Sequence, residues 1–165
     1  MVRFARFFAV LLMVSAAGGS RISAQTGPEQ KQLDRLAGKW RVDVEVKASS
    51  AGPGAKASGT DDCVWFANAH LVCTSDAGTY RAMRTLSYLA AAKQYAMYTV
   101  DSYGYAVFAM GTLSGSTWTF STDVAGVKYR TVIKMGSGSY TSVAEYAGAD
   151  GKWTAMSETK ATKQK

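Results

Sequence analysis

From Trp40 to Lys47 the chain alternates without a break, with Trp40, Val42, Val44 and Val46 on one side and Arg41, Asp43, Glu45 and Lys47 on the other. No helix has a period of two. This stretch is a strand with one buried and one wetted face, as in an antiparallel sheet or a barrel. The rhythm returns over residues 127–135, where Val127, Tyr129, Thr131, Ile133 and Met135 oppose Lys128, Arg130 and Lys134. The first set points inward.

Short β-prone stretches separated by turn residues fill the rest of the chain. Strands are expected near 60–67, 70–76, 79–88, 94–101, 104–112, 116–122, 139–147 and 152–161. Between them stand Gly78, Tyr103-Gly104, Gly115, Ala125-Gly126, Gly136-Ser137-Gly138 and Asp150-Gly151. Trp118 and Phe120 are placed inward. Tyr140, Ser142, Ala144 and Tyr146 share an inner face with Glu145 outward, and Trp153, Ala155, Ser157, Thr159 and Ala161 are read as one continuous inner face. "SSAGPGAKASG" (49–59) reads as a loop, and "TGPEQKQLDRLAGKW" as a short helix, with Pro28 in its first turn, Leu33 and Leu36 on one face and Gly38 as its stop. The fold class expected is all-β: an antiparallel up-and-down barrel of about ten strands with a short N-terminal helix, closure removing the exposed edges.

The segment "CVWFANAHLVC" (63–73) holds both cysteines and the single histidine. A three-residue loop at Ala67-Asn68-Ala69 sets Phe66 opposite His70, Trp65 opposite Leu71 and Cys63 opposite Cys73, so the two thiols are expected as a structural disulfide. A metal site does not fit this register. His70 lies an odd number of residues from Cys73, so its ring points to the other face of the strand. A redox role lacks the two-residue spacing that lowers a thiol's pKa.

The oxidising compartment that such a bridge requires matches the N-terminus. Arg3 and Arg6 precede an apolar run from Phe7 to Ala17, followed by small residues up to Ala24. This is the build of a secretory signal, and the run falls short of the roughly 20 residues that span a bilayer. The domains expected are a signal peptide over 1–24, a short helix and lead-in over 25–39, and the barrel over 40–165. The protein is therefore expected to be exported, periplasmic or secreted, with no membrane insertion after cleavage. Arg3, Arg6 and Arg21 leave with the signal, so the 19 basic residues fall to 16 against 12 acidic ones and the net charge falls from +7 to +4. That balance, with basic residues alternating along a solvated strand face, does not describe a nucleic-acid binder.

"LAGKW" (36–40), a short helix running into Gly-x-Trp at the first strand of an antiparallel barrel, resembles the calycin superfamily, the lipocalins and their relatives. With "YTVDSYG" (98–104) and a late "DGKW" (150–153), the chain is more closely similar to an uncharacterised family of exported bacterial proteins with lipocalin-like folds. The resemblance spans roughly Leu33 to Lys160. It implies that Trp40 plugs one end of the barrel beneath a basic side chain of the last strand, Lys160 or Lys163, in a cation–π contact. Asp101 fits as a turn residue accepting backbone N–H groups. The second lipocalin signature is absent, because Thr122-Asp123 leads into Val124. No lipocalin ligand or receptor habit carries over.

The function expected is a non-enzymatic barrel that binds a small, largely apolar ligand, lined by Trp40, Trp118, Tyr129, Thr131, Tyr140 and Ser157. The alternative is a cell-envelope interaction or structural protein with a filled core. Catalysis is not expected: His70 sits beside a hairpin tip, Ser102 has no base near it, Asp61 and Asp62 point to opposite faces, and Glu145 and Glu158 point outward. A haem would need His70 inside the barrel. No cofactor, metal or nucleic acid is expected, and nothing in the sequence fixes an oligomeric state.

Overall fold

The computed structural model describes residues 27–49 and 52–165. The expected signal peptide over 1–24 lies outside them. A single turn of α-helix, α1 (Pro28–Lys31), runs into a 3-10 turn (Gln32–Arg35). Ten strands follow: β1 (Gly38–Val46), β2 (Ala55–Phe66), β3 (His70–Ala77), β4 (Tyr80–Leu89), β5 (Gln94–Asp101), β6 (Ala106–Ser114), β7 (Thr117–Val124), β8 (Val127–Met135), β9 (Ser139–Ala147) and β10 (Trp153–Lys163). Each pairs antiparallel with the next, and β1 also pairs with β10, closing the barrel. The fold is all-β, as the alternation requires.

The helical lead-in folds under one end of the cylinder because Leu33 and Leu36 sit three apart on one face, and both are buried. Gly38 follows with φ +106°, a conformation open to glycine at little cost, and so turns the chain from helix into strand. Trp40 comes next, almost fully buried; its indole nitrogen donates to the Leu36 carbonyl (2.8 Å), and Lys163 lies 5.2 Å from its ring centroid. Arg35 lies similarly over Trp118, at 5.4 Å. Trp40 and Trp118 join Phe120, Leu71, Leu86 and Ile133 in a close-packed floor. Gly111 makes room for that packing, since a Cβ there would lie 2.5 Å from Phe120 Cδ1.

Two readings of the sequence are corrected. Residues 55–59 are not loop: β2 starts at Ala55, and Ala57 and Gly59 pair with Val44 and Val42. Neither the composition nor the small side chains of that run signal a strand; the continuous pairing with β1 imposes it. Nor do Trp153, Ala155, Ser157, Thr159 and Ala161 share one face, because a β-bulge between Ala155 and Ser157 inserts an extra residue. Ser157, Thr159 and Ala161 pair with the inward Ala144, Ser142 and Tyr140, but Trp153 and Ala155 pair with the outward Ala147 and Glu145. Trp153 thus stacks outside the barrel under Arg130 (4.1 Å to the ring centroid), whose Nε donates to Glu145 at 2.5 Å. No helix among the described residues is long and apolar enough to cross a membrane.

Candidate functional site

Along each strand the inward side chains change character from the helix end to the other end. The floor is sealed. Beyond it the inward residues Val44, Ala57, Thr99, Val107, Thr122, Tyr129, Thr131, Ala144, Ser157 and Thr159 are only half-buried, and they come from β1, β2 and β5 to β10. Most are small or hydroxylated, and all keep some exposure at this end of the barrel. One row shows its build: Thr131 on β8 faces Ala144 on β9, which faces Ser157 on β10. Two shallow depressions lie on the outer wall: one of about 460 Å³ over β2 to β5, and one of about 360 Å³ over β1, β2 and β10.

The polar chemistry of the interior sits between the floor and these half-exposed positions. Arg84, on β4, donates through Nη2 to Asp61 on β2, and more distantly to Ser75 Oγ (3.4 Å). Tyr140 reaches across the lumen from β9 and donates its hydroxyl to the same Asp61 Oδ2 at 2.5 Å. The strands order these groups: Asp61 pairs with Ser75, Arg84 pairs with the buried Cys73, and Trp40 packs its ring edge-on to Tyr140 with centroids 5.0 Å apart. Burial works to raise Asp61's pKa, but the Arg84 charge and the hydroxyls of Ser75 and Tyr140 hold the carboxyl below its ordinary range. For Arg84, burial opposes the charge and the neighbouring Asp61 more than offsets it, so the guanidinium stays ionised even more firmly than usual. Burial pushes Tyr140's hydroxyl above the ordinary phenol range; Arg84 pulls it down, and Asp61 adds to the rise.

An ion pair this deep, with Asp61's side chain 4% exposed, adds little net stability compared with apolar residues of the same size. A costly charged pair facing a lumen is instead a candidate for binding work.

The residues singled out from the sequence divide between the two levels. Trp40, Trp118 and Tyr140 belong to the packed floor or the belt just above it, where the first two have no free surface to offer. Tyr129, Thr131 and Ser157 belong to the half-exposed end. Cys63 and Cys73, directly opposite on β2 and β3, form a buried disulfide with Cα atoms 3.9 Å apart. His70 is exposed, its Nδ1 2.5 Å from Ser87 Oγ. Asp101 accepts from the backbone N–H groups of Tyr103 and Tyr105 (2.9 and 3.1 Å). The sequence reading missed Arg84 and the burial of Asp61. Their signal was present only as parity, Arg84 sharing the inward positions of Ala82 and Leu86, and the outward Met83 and the buried Ser87 blurred it.

Among solved structures, the chain shares its fold with the S-type phycobiliprotein lyase CPES from Guillardia theta, at a TM-score of 0.56 and 10% sequence identity over 87% of this chain and 96% of that one. The fold is thus a lipocalin-like barrel. This likeness overturns the expectation of a barrel without catalysis. A lyase is built on the same architecture, so the lack of a nucleophile–base pair in the sequence does not argue against enzymatic activity. No curated protein matches the chain. The family profile described as "Protein of unknown function (DUF1579)" matches residues 25–163.

Proposed function

We propose that this chain, which belongs to the DUF1579 family, takes a small, largely apolar molecule into the open half of its barrel. One observation supports the reading: inward residues of eight strands, most of them Ala, Ser or Thr, stay half-exposed above a packed floor. Ligand sites of this kind are concave, mostly apolar and provided with a few fixed polar groups. Tyr129, Thr131 and Ser157 would line the wall, and Arg84 would supply the polar group. Titrating the purified protein with N-phenyl-1-naphthylamine, then displacing it with a panel of apolar molecules, should show saturable uptake at one site per chain. A flat titration across the panel counts against the reading.

We also read residues 1–24 as a cleaved signal and the protein as exported. The buried disulfide supports this, because such bridges persist in oxidising compartments. N-terminal sequencing of the protein recovered outside the cytoplasm should begin at Gln25, and an uncleaved cytoplasmic product would contradict it.

A second reading, contact with a partner in the cell envelope, is favoured by the outer wall of β4 to β7. From Thr85 to Thr122 the only charged residues are Lys93 and Asp101, and Tyr98 and Phe108 face each other exposed on adjacent strands. Under that reading Tyr98→Glu with Phe108→Glu abolishes retention in the envelope fraction. Under the first it leaves ligand uptake unchanged.

A further inference from the structure

The outer wall of the barrel has two characters. On β2 to β6 the outward side chains line up in register, and Val64, Val72, Thr85, Tyr98 and Phe108 form one row across the five strands. Phe66 and Met83 stand in the rows on either side. Across these three rows there is no Lys or Arg. Asp62, at one corner, pairs with Lys39 (3.8 Å), and His70 lies at the helix-end margin with its Nδ1 2.5 Å from Ser87 Oγ. The opposite wall is charged, with Asp43 facing Lys160 across β1 and β10, and Lys128, Arg130 and Lys134 along β8. Val64, Phe66, Met83, Tyr98 and Phe108 are each between 43% and 65% exposed. At about 200 Å² for a complete large side chain, the five offer about 500 Å² of apolar surface, toward the upper end of the about 300–600 Å² covered by the largest such patch on a typical monomer.

We infer that this wall lies against the surface of a lipid bilayer, with the barrel on its side and the charged wall in water. The inference deepens the envelope-contact reading of the outer wall and rests on it, and it makes no use of the lumen. Shape selects the occupant. Five of the ten strands of a closed barrel carry the face, so it is convex and turns through about half of the cylinder. A second copy, equally convex there, meets it along a ridge and covers less than the about 800 Å² per partner of a standard interface, whereas lipid is fluid and follows the curve. Charge agrees with shape. A face without cations has nothing to hold an acidic partner, and an uncharged one suits the boundary between headgroups and acyl chains, where a surface-bound apolar face sinks about 5–10 Å. Closure of the barrel pairs each strand on both sides, so no open sheet edge meets the lipid. Tyr103 and Tyr105, exposed on the β5–β6 turn at one end of the wall, are amphipathic residues of the kind that settle at headgroup level. The charges on β1, β8 and β10 hold the barrel at the surface rather than across the bilayer.

The test is flotation with phosphatidylcholine vesicles, using the protein as recovered after export, so that whatever N-terminus it carries is common to all samples. The parent should float equally at about 0.1 M and about 1 M NaCl, because an apolar contact does not depend on screened charges. Phe66→Thr/Phe108→Thr should lower the partition coefficient at least about tenfold through the apolar area removed. Tyr98→Ser should lower it by a smaller factor and serves if the double variant does not fold. Lys134→Ser/Lys160→Ser, on the charged wall, should leave it unchanged. Sedimentation velocity without vesicles should show a monomer in each case. No flotation of the parent, equal flotation of parent and wall variants, flotation lost at high salt or in the lysine variant, or a dimer that the wall variants dissociate each overturn the bilayer as the occupant. If retention in the envelope fraction still depends on Tyr98 and Phe108 after such a result, the contact reading stands with a protein on this wall. Retention that does not depend on them overturns that reading and this inference together.

Discussion

The two halves of the barrel interior are built by the same two-residue rhythm, yet one is closely packed and the other keeps its inward side chains half-exposed. At the helix end the inward positions include the bulky Trp40, Leu71, Leu86, Trp118, Phe120 and Ile133, all buried. At the far end the inward positions include Val44, Ala57, Thr99, Thr131, Ala144 and Ser157, all half-buried. Alternation decides which way a side chain faces. Side-chain size decides whether facing inward means filling the core or lining a cup. Between the halves lies the Arg84–Asp61–Tyr140 belt, and its position at that boundary is what ties the architecture to the binding role proposed above.

Substitutions in the two halves should therefore behave differently. The largest effect belongs to the floor, where Phe120→Ala should cost about 3–5 kcal/mol of unfolding free energy by urea titration, the usual range for emptying a packed aromatic site. A loss under about 1 kcal/mol would mean that the floor is not the packed core described. Arg84→Ala should cost nearly as much, about 3–5 kcal/mol, because it strands Asp61 as an uncompensated buried charge. Asp61→Leu/Arg84→Met/Tyr140→Phe should recover most of that loss, and a triple variant as unstable as the single one would show that the belt serves stability first.

Next comes the disulfide. Cys63→Ala/Cys73→Ala should lower stability by about 2–3 kcal/mol through the freed loop, without changing ligand affinity, since both sulfurs lie in the floor. A smaller effect follows pH. Asp61 is held below its ordinary pKa in the folded state, so its contribution is fully present above the unfolded carboxylate value and is lost as pH falls through the lower folded one. The thermal midpoint should drop below about pH 4 by more in the unmodified protein than in the triple variant. Equal acid sensitivity in the two would remove Asp61 from the account. The smallest stability effects belong to the cup, where Thr131→Ala and Ser157→Ala should each stay within about 0.5 kcal/mol while altering ligand affinity.

Much of the barrel could be read directly from the chain, and particular residues show why the remainder could not. The strands over 38–46 and 127–135 were visible because β-branched residues and charges alternate cleanly there. Asp101 as a turn residue was visible because its partners are two and four residues away. β2 extends back to Ala55 through Ala-Lys-Ala-Ser-Gly, a run with no strand signature whose structure depends on the distant β1. A single extra residue, Met156, turned Trp153 outside and left Ser157 inside, and nothing local marks the place. The belt was the deepest omission. Asp61 and Asp62 were correctly split between faces, but the partners of Asp61 lie 23 and 79 residues away, beyond the reach of any periodicity.

The central claim, that the far half of the lumen is open and receives a ligand, can be met at one position. Ala144 stands between Thr131 and Ser157 in the cup wall. Equilibrium titration of Ala144→Trp with N-phenyl-1-naphthylamine should show uptake abolished in a protein that unfolds at the same urea concentration as the parent, because the indole occupies space that no residue now fills. Unchanged uptake by that variant, or a collapse of its stability, would show that the space is not the binding site or is not empty, and would contradict the account.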